Sequence, residues 1–363
     1  MPLRALARVN LAAIERNCRA LDAAAGDAAL CAVVKGDGYG HGAVLSAVAA
    51  LGGGARWLAV ATAGEAMDLR MAGIEARLLI MGAISPQELE AALAADADLV
   101  VWSEEFARAA RGARLHVKLD TGMGRLGTRD VGLAARLARE DGVVGLMTHF
   151  ATADERGDAF LDEQLDRFSA WAQPLKAERP ELILHAANSA ATLREPRARF
   201  DLVRCGIAIY GMDPFHEDPA GHGLEPALTL ESYAAAVKPC APGESAGYGR
   251  RFVAREPTTL ATLPIGYADG VRRGLSNNAD VLVGGRRRPL VGTVSMDNVT
   301  VDLGPDAEER VGAPAVLIGE QGGERILAEE LARRLDTINY EITCGITARV
   351  MREYHRDGEL SER

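Results

Sequence analysis

Between about residue 30 and residue 206, short apolar, β-favouring runs alternate with amphipathic stretches, without a fixed-length repeat or a low-complexity segment. The runs are CAVVK at Cys31, WLAVAT at Trp57, RLLIMG at Arg77, DLVVWS at Asp98, RLHVKLD at Arg114, VVGLMTHF at Val143, LILHAAN at Leu182 and LVRCG at Leu202. Helix-like segments such as HGAVLSAVAALGG and SPQELEAALAA lie between them. In the second, Ser85 is expected as N-cap, Pro86 as first helical residue and Glu88 as capping-box partner. Eight βα units are what a closed (β/α)8 barrel demands, so the expected fold class is α/β with an N-terminal TIM-like barrel.

From about Leu224 the pattern changes to ALTLESYAAAV, PTTLATLPIGY, DVLVGG, PLVGTVSMDNVTVDL and PAVLIGE, mostly without intervening helices and separated by Gly, Pro and Asn. The boundary falls near residues 213 to 225, in DPFHEDPAGHG. A barrel domain over residues 1–224 and a C-terminal, mostly antiparallel β domain over residues 225–363 follow, with about the first ten residues free to pack with the β domain.

Composition narrows the function. A chain of 363 residues, 48% apolar and 25% charged, is long enough for two domains with a core that needs no staples. No apolar run approaches the roughly 20 residues of a membrane-spanning helix, and the start MPLRALARVNLAAIERN lacks the features of a signal peptide. Cys18, Cys31, Cys205, Cys240 and Cys344 lie scattered without a CxxC spacing, which argues against a disulfide framework and a zinc site. The expected location is the cytoplasm. A net charge of -10 argues against nucleic acid and leaves a small molecule as the default ligand. Of 41 basic residues only Lys35, Lys118, Lys176 and Lys238 are lysine.

Barrel enzymes gather their chemistry at the C-terminal ends of the strands. Lys35 ends the first strand, Asp120 the fifth and His149 the sixth, and Arg204 lies in the last. Strands one and eight are neighbours in a closed barrel, so Lys35 and Arg204 are expected to face one another, an arrangement that calls for an anionic or electron-poor ligand. Lys35 follows the apolar CAVV and precedes GDGYGHG, whose glycines permit close backbone approach. Two readings are open: a lysine snorkelling from a strand end, or a Schiff-base lysine whose amine is freed by burial, of the kind pyridoxal phosphate (PLP) uses.

The blocks AVVKGDGYGHG, KLDTGMGRLG, THFA, ANSAAT, RCGIAIYG, AGYGRRF, LPIGYADG, VSMDN and YEITCGITARV, in this order and at compatible spacing, resemble the motifs of alanine racemases over nearly the whole chain. The resemblance implies a PLP-dependent isomerase that interconverts L- and D-alanine and supplies D-alanine for bacterial peptidoglycan. It also implies a head-to-tail homodimer whose two active sites each borrow residues from the other subunit. Lys35 would then carry the cofactor and act as base on the D-alanine side. Tyr248, from the other subunit, would act on the L-alanine side. Two groups on opposite faces remove and return the Cα proton without turning the substrate over. A tyrosine with an ordinary pKa of about 10 needs cationic neighbours to serve as a base near neutrality, and the resemblance assigns His149 and Arg204 to that tuning.

The resemblance further implies that Arg204 donates to the cofactor's ring nitrogen, and that Tyr39, Ser189 and the backbone amides of Gly206 and Ile207 hold its phosphate. Arg125 and the Met296 amide are the expected clamp on the substrate carboxylate, Lys118 resembles the family's carbamylated lysine, and Tyr267 and Asp269 are expected to shape the entrance. This chain departs from the pattern at Ala348, where some relatives have a further phosphate-binding tyrosine, and at Gly36 and Gly38, where alanines are common.

Other signals compete. GMGRLG from Gly122, with Glu140 beyond it, matches a dinucleotide-binding fingerprint, but it follows the fifth strand of eight rather than a first. GGRRRPL reads as a solvated turn between strands. No HExxH, zinc-ligand or EF-hand spacing occurs, so no metal is expected. Alternative functions are a broad-specificity racemase acting on serine or basic amino acids, a fold-related amino-acid decarboxylase, and a non-enzymatic PLP carrier or regulatory binder.

Overall fold

The structure is a computed structural model and describes residues 3–361. Contacts divide the chain into two compact units, Ile14–Glu225 and the chain up to Ala13 together with Pro226 onward.

In the unit Ile14–Glu225 all eight expected runs form parallel strands: Ala29–Val33, Trp57–Val60, Arg77–Ile80, Ala97–Val101, Leu115–Lys118, Val143–Met147, Ile183–His185 and Leu202–Cys205. Each of the first seven pairs with its sequence neighbour, and the first pairs with the last, Cys31 opposite Arg204. Between the seventh and eighth strands the ladder reduces to two backbone bonds, Asp201 N–H to the Leu184 carbonyl (3.0 Å) and Arg204 N–H to the Ala187 carbonyl (2.9 Å). Trp57–Val60 and Ala97–Val101 are buried at every position, as strands walled by neighbours on one face and by helices on the other must be.

The helix in SPQELEAALAA begins later than its capping signature predicts. Glu88 does accept from the Ser85 N–H (2.9 Å), but residues 86–88 form a turn and the helix proper is Leu89–Ala94. The Glu88 N–H bonds the Ser85 carbonyl (3.0 Å), which closes a turn rather than an α-helical start.

In the other unit, Leu6–Asn10 pairs antiparallel with Leu228–Tyr233 and parallel with Met351–Arg356. The remaining runs of the C-terminal part join in antiparallel order. Two short helices that the pattern did not predict, Ala328–Arg334 and Asn339–Cys344, follow the strands. GGRRRPL is not a solvated arginine turn. The turn is Gly284–Gly285, both at positive φ as a tight hairpin requires, and the arginines run on into strand Arg286–Val291. There Arg287 pairs with Glu324 and Glu330, and Arg288 with Glu309. No helix among the described residues is long and apolar enough to cross a membrane.

Candidate active site

Lys35 is half-buried two residues beyond the end of the first barrel strand. The backbone that follows it turns left-handed, with φ of 61° at Gly36, 51° at Asp37, 61° at Gly38 and 53° at Tyr39. Each non-glycine residue held there costs about 1–2 kcal/mol, so the two glycines relieve half of the turn. A Cβ at Gly36 would meet nothing within 4 Å, whereas one at Gly38 would crowd Ser46 and Ala43 at 3.2–3.3 Å. The turn is tied to the second βα unit by Glu65, which accepts from the Gly36 N–H (2.6 Å) and from the N–H groups of Ala61 (2.7 Å) and Thr62 (3.1 Å). Glu65 is a positioning residue that the motif reading missed. Its signal was present as the capping box Thr62–Glu65 at the start of helix Ala63–Met71.

Tyr39, Ser189, Gly206 and Ile207 converge. Ser189 Oγ accepts from the Gly206 N–H (3.0 Å) and, more weakly, from Ala208 (3.5 Å). A Cβ on Gly206 would lie 2.3 Å from the Tyr39 hydroxyl, so only glycine lets the phenol reach this backbone. Tyr39 packs against Tyr210, which stacks on His41 and donates its hydroxyl to the Val33 carbonyl (3.2 Å). Ile207 is buried and opens the short turn Ile207–Tyr210. Two hydroxyls beside the backbone that opens a turn suit a phosphate.

Arg204 is 3% exposed. It donates to the carbonyls of Thr148 and Ala186 (both 2.9 Å), to His185 Nδ1 (3.1 Å) and to His149 Nδ1 (3.3 Å). Its Nε has no acceptor among the described residues and remains available to a ligand. Burial pulls Arg204 down to about 10, which leaves it a cation at neutral pH. His149 is pushed well below an ordinary imidazole, first by burial and then by the charges of Arg204, Lys118, Arg125 and Lys35. It is neutral, and because a guanidinium cannot accept, its Nδ1 is the acceptor and its proton sits on Nε2.

Lys118 is 4% exposed. Its Nζ has neither a hydrogen bond nor an ion pair among the described residues, and burial with the nearby cations lowers it to about 8. Arg125 is exposed on the loop beyond the strand and likewise has no side-chain partner there. Asp120, two residues from Lys118, does not neutralise it. One of its oxygens accepts from the N–H groups of Gly122 (3.1 Å) and Gly124 (3.0 Å), and the other from Arg129 (2.9 Å). The GMGRLG segment is therefore a loop folded around Asp120, not the start of a helix under a dinucleotide: helix Val131–Leu137 begins only after Asp130, which caps it.

The remaining expected residues lie in the other unit. Tyr248 is 74% exposed at the head of a short turn, its carbonyl held by the Thr293 hydroxyl (2.8 Å). Met296 is 52% exposed, and its carbonyl accepts from Ala268 (3.0 Å), beside the bond from Tyr267 N–H to Ser295 (3.0 Å). Tyr267 is exposed. Asp269 is not: it is fully buried, pairs with Arg4 and Arg349 and accepts from the Gly266 N–H (2.9 Å). Burial works against its charge, but these donors hold it below the usual carboxylate range, so it fixes the GYADG turn rather than lining an opening. Ala348 is exposed in a turn after helix Asn339–Cys344.

Comparison with known proteins places this geometry in a family. Residues 9–214 match the profile described as alanine racemase, N-terminal domain, and residues 227–354 that described as alanine racemase, C-terminal domain. An alanine racemase of Symbiobacterium thermophilum is 46% identical over 96% of both chains, and alanine racemase 1 of Bacillus subtilis is 40% identical over 98% of this chain and 94% of its own. Among solved structures, the alanine racemase of a D-cycloserine-producing Streptomyces lavendulae is 41% identical with a TM-score of 0.90 over 98% of each chain. That of Bacillus anthracis, with bound L-Ala-P, is 37% identical with a TM-score of 0.90 over 100% of this chain and 98% of that one. The chain belongs to the alanine racemase family.

Proposed function

We propose that this protein interconverts L- and D-alanine with PLP as cofactor, working as a homodimer in the bacterial cytoplasm to supply D-alanine for peptidoglycan. The observation that carries the reading is the buried pair Lys118 and Arg204 beside a neutral His149, with Lys35 and Arg125 adding to the positive charge there. Such a set favours a phosphorylated, electron-poor cofactor together with an amino-acid carboxylate. Alanine, rather than serine or a basic amino acid, is supported by the names of the relatives.

The residues fit PLP: Lys35 would hold it covalently, Tyr39, Ser189, Gly206 and Ile207 would hold its phosphate, and Arg204 would offer Nε–H to its ring nitrogen. When bound, PLP supplies an electron-withdrawing system that acidifies the Cα–H of an attached amino acid. Lys35 Nζ then takes or returns the Cα proton on one face, and the Tyr248 hydroxyl of a second subunit does so on the other. Lys35 serves the D-alanine side and Tyr248 the L-alanine side. Arg204, a donor that cannot accept, would face the cofactor's ring nitrogen without protonating it, which would moderate the electron sink and favour return of the proton over transamination. Arg125 and the Met296 amide hold the substrate carboxylate. Lys118, with its amine partly unprotonated near neutrality, is suited to take up carbon dioxide: the nitrogen lone pair bonds the carbon, one proton leaves, and the resulting carbamate anion offsets Arg125.

The test is formation of D-alanine from L-alanine by the purified protein supplied with PLP. Lys35→Ala is expected to lose both turnover and the visible band of the bound cofactor. Tyr248→Phe should keep the band while racemisation falls by at least about 100-fold. Turnover surviving in Tyr248→Phe would overturn the two-base reading.

A further inference from the structure

Beneath Arg204 a line of buried polar groups runs through the barrel interior and has no part in the chemistry above. Arg204 Nη1 lies 3.1 Å from His185 Nδ1, His185 Nε2 lies 2.8 Å from His116 Nδ1, and His116 Nε2 lies 2.9 Å from Asp98 Oδ2. His185, His116 and Asp98 are fully buried. Asp98 also accepts from Arg77 Nε (3.0 Å) and Nη2 (2.8 Å) and from Arg114 Nε (2.6 Å). The line is built into the packing. Gly145, in the middle of a strand, leaves room for the His116 ring, since a Cβ there would lie 2.1 Å from Nδ1. The His116 and Trp57 rings meet at right angles, and Arg77 stacks over Trp57 at 4.0 Å.

We propose that Asp98, His116 and His185 form a one-way hydrogen-bond relay that holds Arg204 in place as a donor, a role that rests on the reading of Arg204 as the partner of the cofactor nitrogen. The direction follows from bookkeeping of protons. Arg204 has only N–H groups, so His185 Nδ1 must accept. Burial keeps both rings neutral, which leaves the His185 proton on Nε2, donated to His116 Nδ1. The His116 proton is then on Nε2 and is donated to Asp98, a carboxylate already fixed as an acceptor by two arginines. Reversing any one ring would set N–H against N–H at Arg204 or lone pair against lone pair at Asp98. His116 and His185 are therefore positioning residues: they act through Arg204 and touch no reacting atom.

The experiment combines 15N-histidine NMR of the cofactor-loaded protein with the visible spectrum and steady-state constants of variants. Both rings are expected as Nε2–H tautomers. His116→Leu, which cannot pass the bond on, should shift the cofactor band and lower kcat by about ten-fold with KM little changed. His116→Gln has an oxygen for His185 and an N–H for Asp98, and should restore most of both. An Nδ1–H tautomer on either ring overturns the relay, as does a His116→Leu variant with the parent band and kcat while Arg204→Lys alters both. An Arg204→Lys variant with the parent band and kcat instead overturns the underlying reading of Arg204.

Discussion

The two ends of the barrel hold arginines under opposite conditions. At the N-terminal ends of the strands, Arg77 and Arg114 close on the fully buried Asp98, every nearby charge has a partner, and the carboxylate is held below its usual range against the opposing effect of burial. At the C-terminal ends, Lys118 has no partner among the described residues, Arg204 bonds only carbonyls and neutral rings, and Lys35 and Arg125 add further positive charge. Like charges are gathered in a poorly solvated place only when something outside the chain offsets them. The end closed on Asp98 is architecture, and the cation-rich end is where the proposed function seats its anions.

This contrast predicts opposite responses to removing one charge. Asp98→Asn leaves two arginines facing an amide and should cost about 3 kcal/mol or more, read as a lower denaturant midpoint at unchanged slope. Lys118→Met removes an unpaired buried cation and should stabilise the cofactor-free protein by about 1–3 kcal/mol while racemisation falls. Equal destabilisation by both substitutions would erase the distinction between the ends.

The smallest effects are in pH dependence, and they separate the ends by window. Lys118 drops from 10.5 to about 8 on folding, so between those values the unfolded chain binds a proton that the native state refuses, and stability of the cofactor-free protein rises with pH there. His116, His149 and His185 are all lowered from 6.5, so stability holds above that value and falls as pH drops below it. Asp98 is lowered from 3.8, and its contribution is lost only in stronger acid. Melting curves across pH should show these three regions, and Lys118→Met should remove the alkaline rise alone.

The barrel was legible because its determinants are local. Apolar runs such as RLLIMG from Arg77 and the strand Ala97–Val101 declare themselves by composition, and the motifs place Lys35, Tyr39 and Arg204 in or just beyond strands without reference to anything distant. Where local signals failed, a competing partner had won. Ser85 lost its helix to a turn, and Asp269 was drawn into a pair with Arg4, 265 residues away.

The sequence by itself determined the order of strands, the residues at their ends and the lysine poverty that makes Lys35 and Lys118 stand out. Only the tertiary structure decided which charges are matched. Asp98 finds Arg77, Arg114 and His116 because neighbouring strands bring positions 16 to 21 residues apart into one layer. Asp120, although two residues from Lys118, is captured by the amides of its own loop. Charge compensation depends on distance and desolvation, and neither can be read from spacing along a chain.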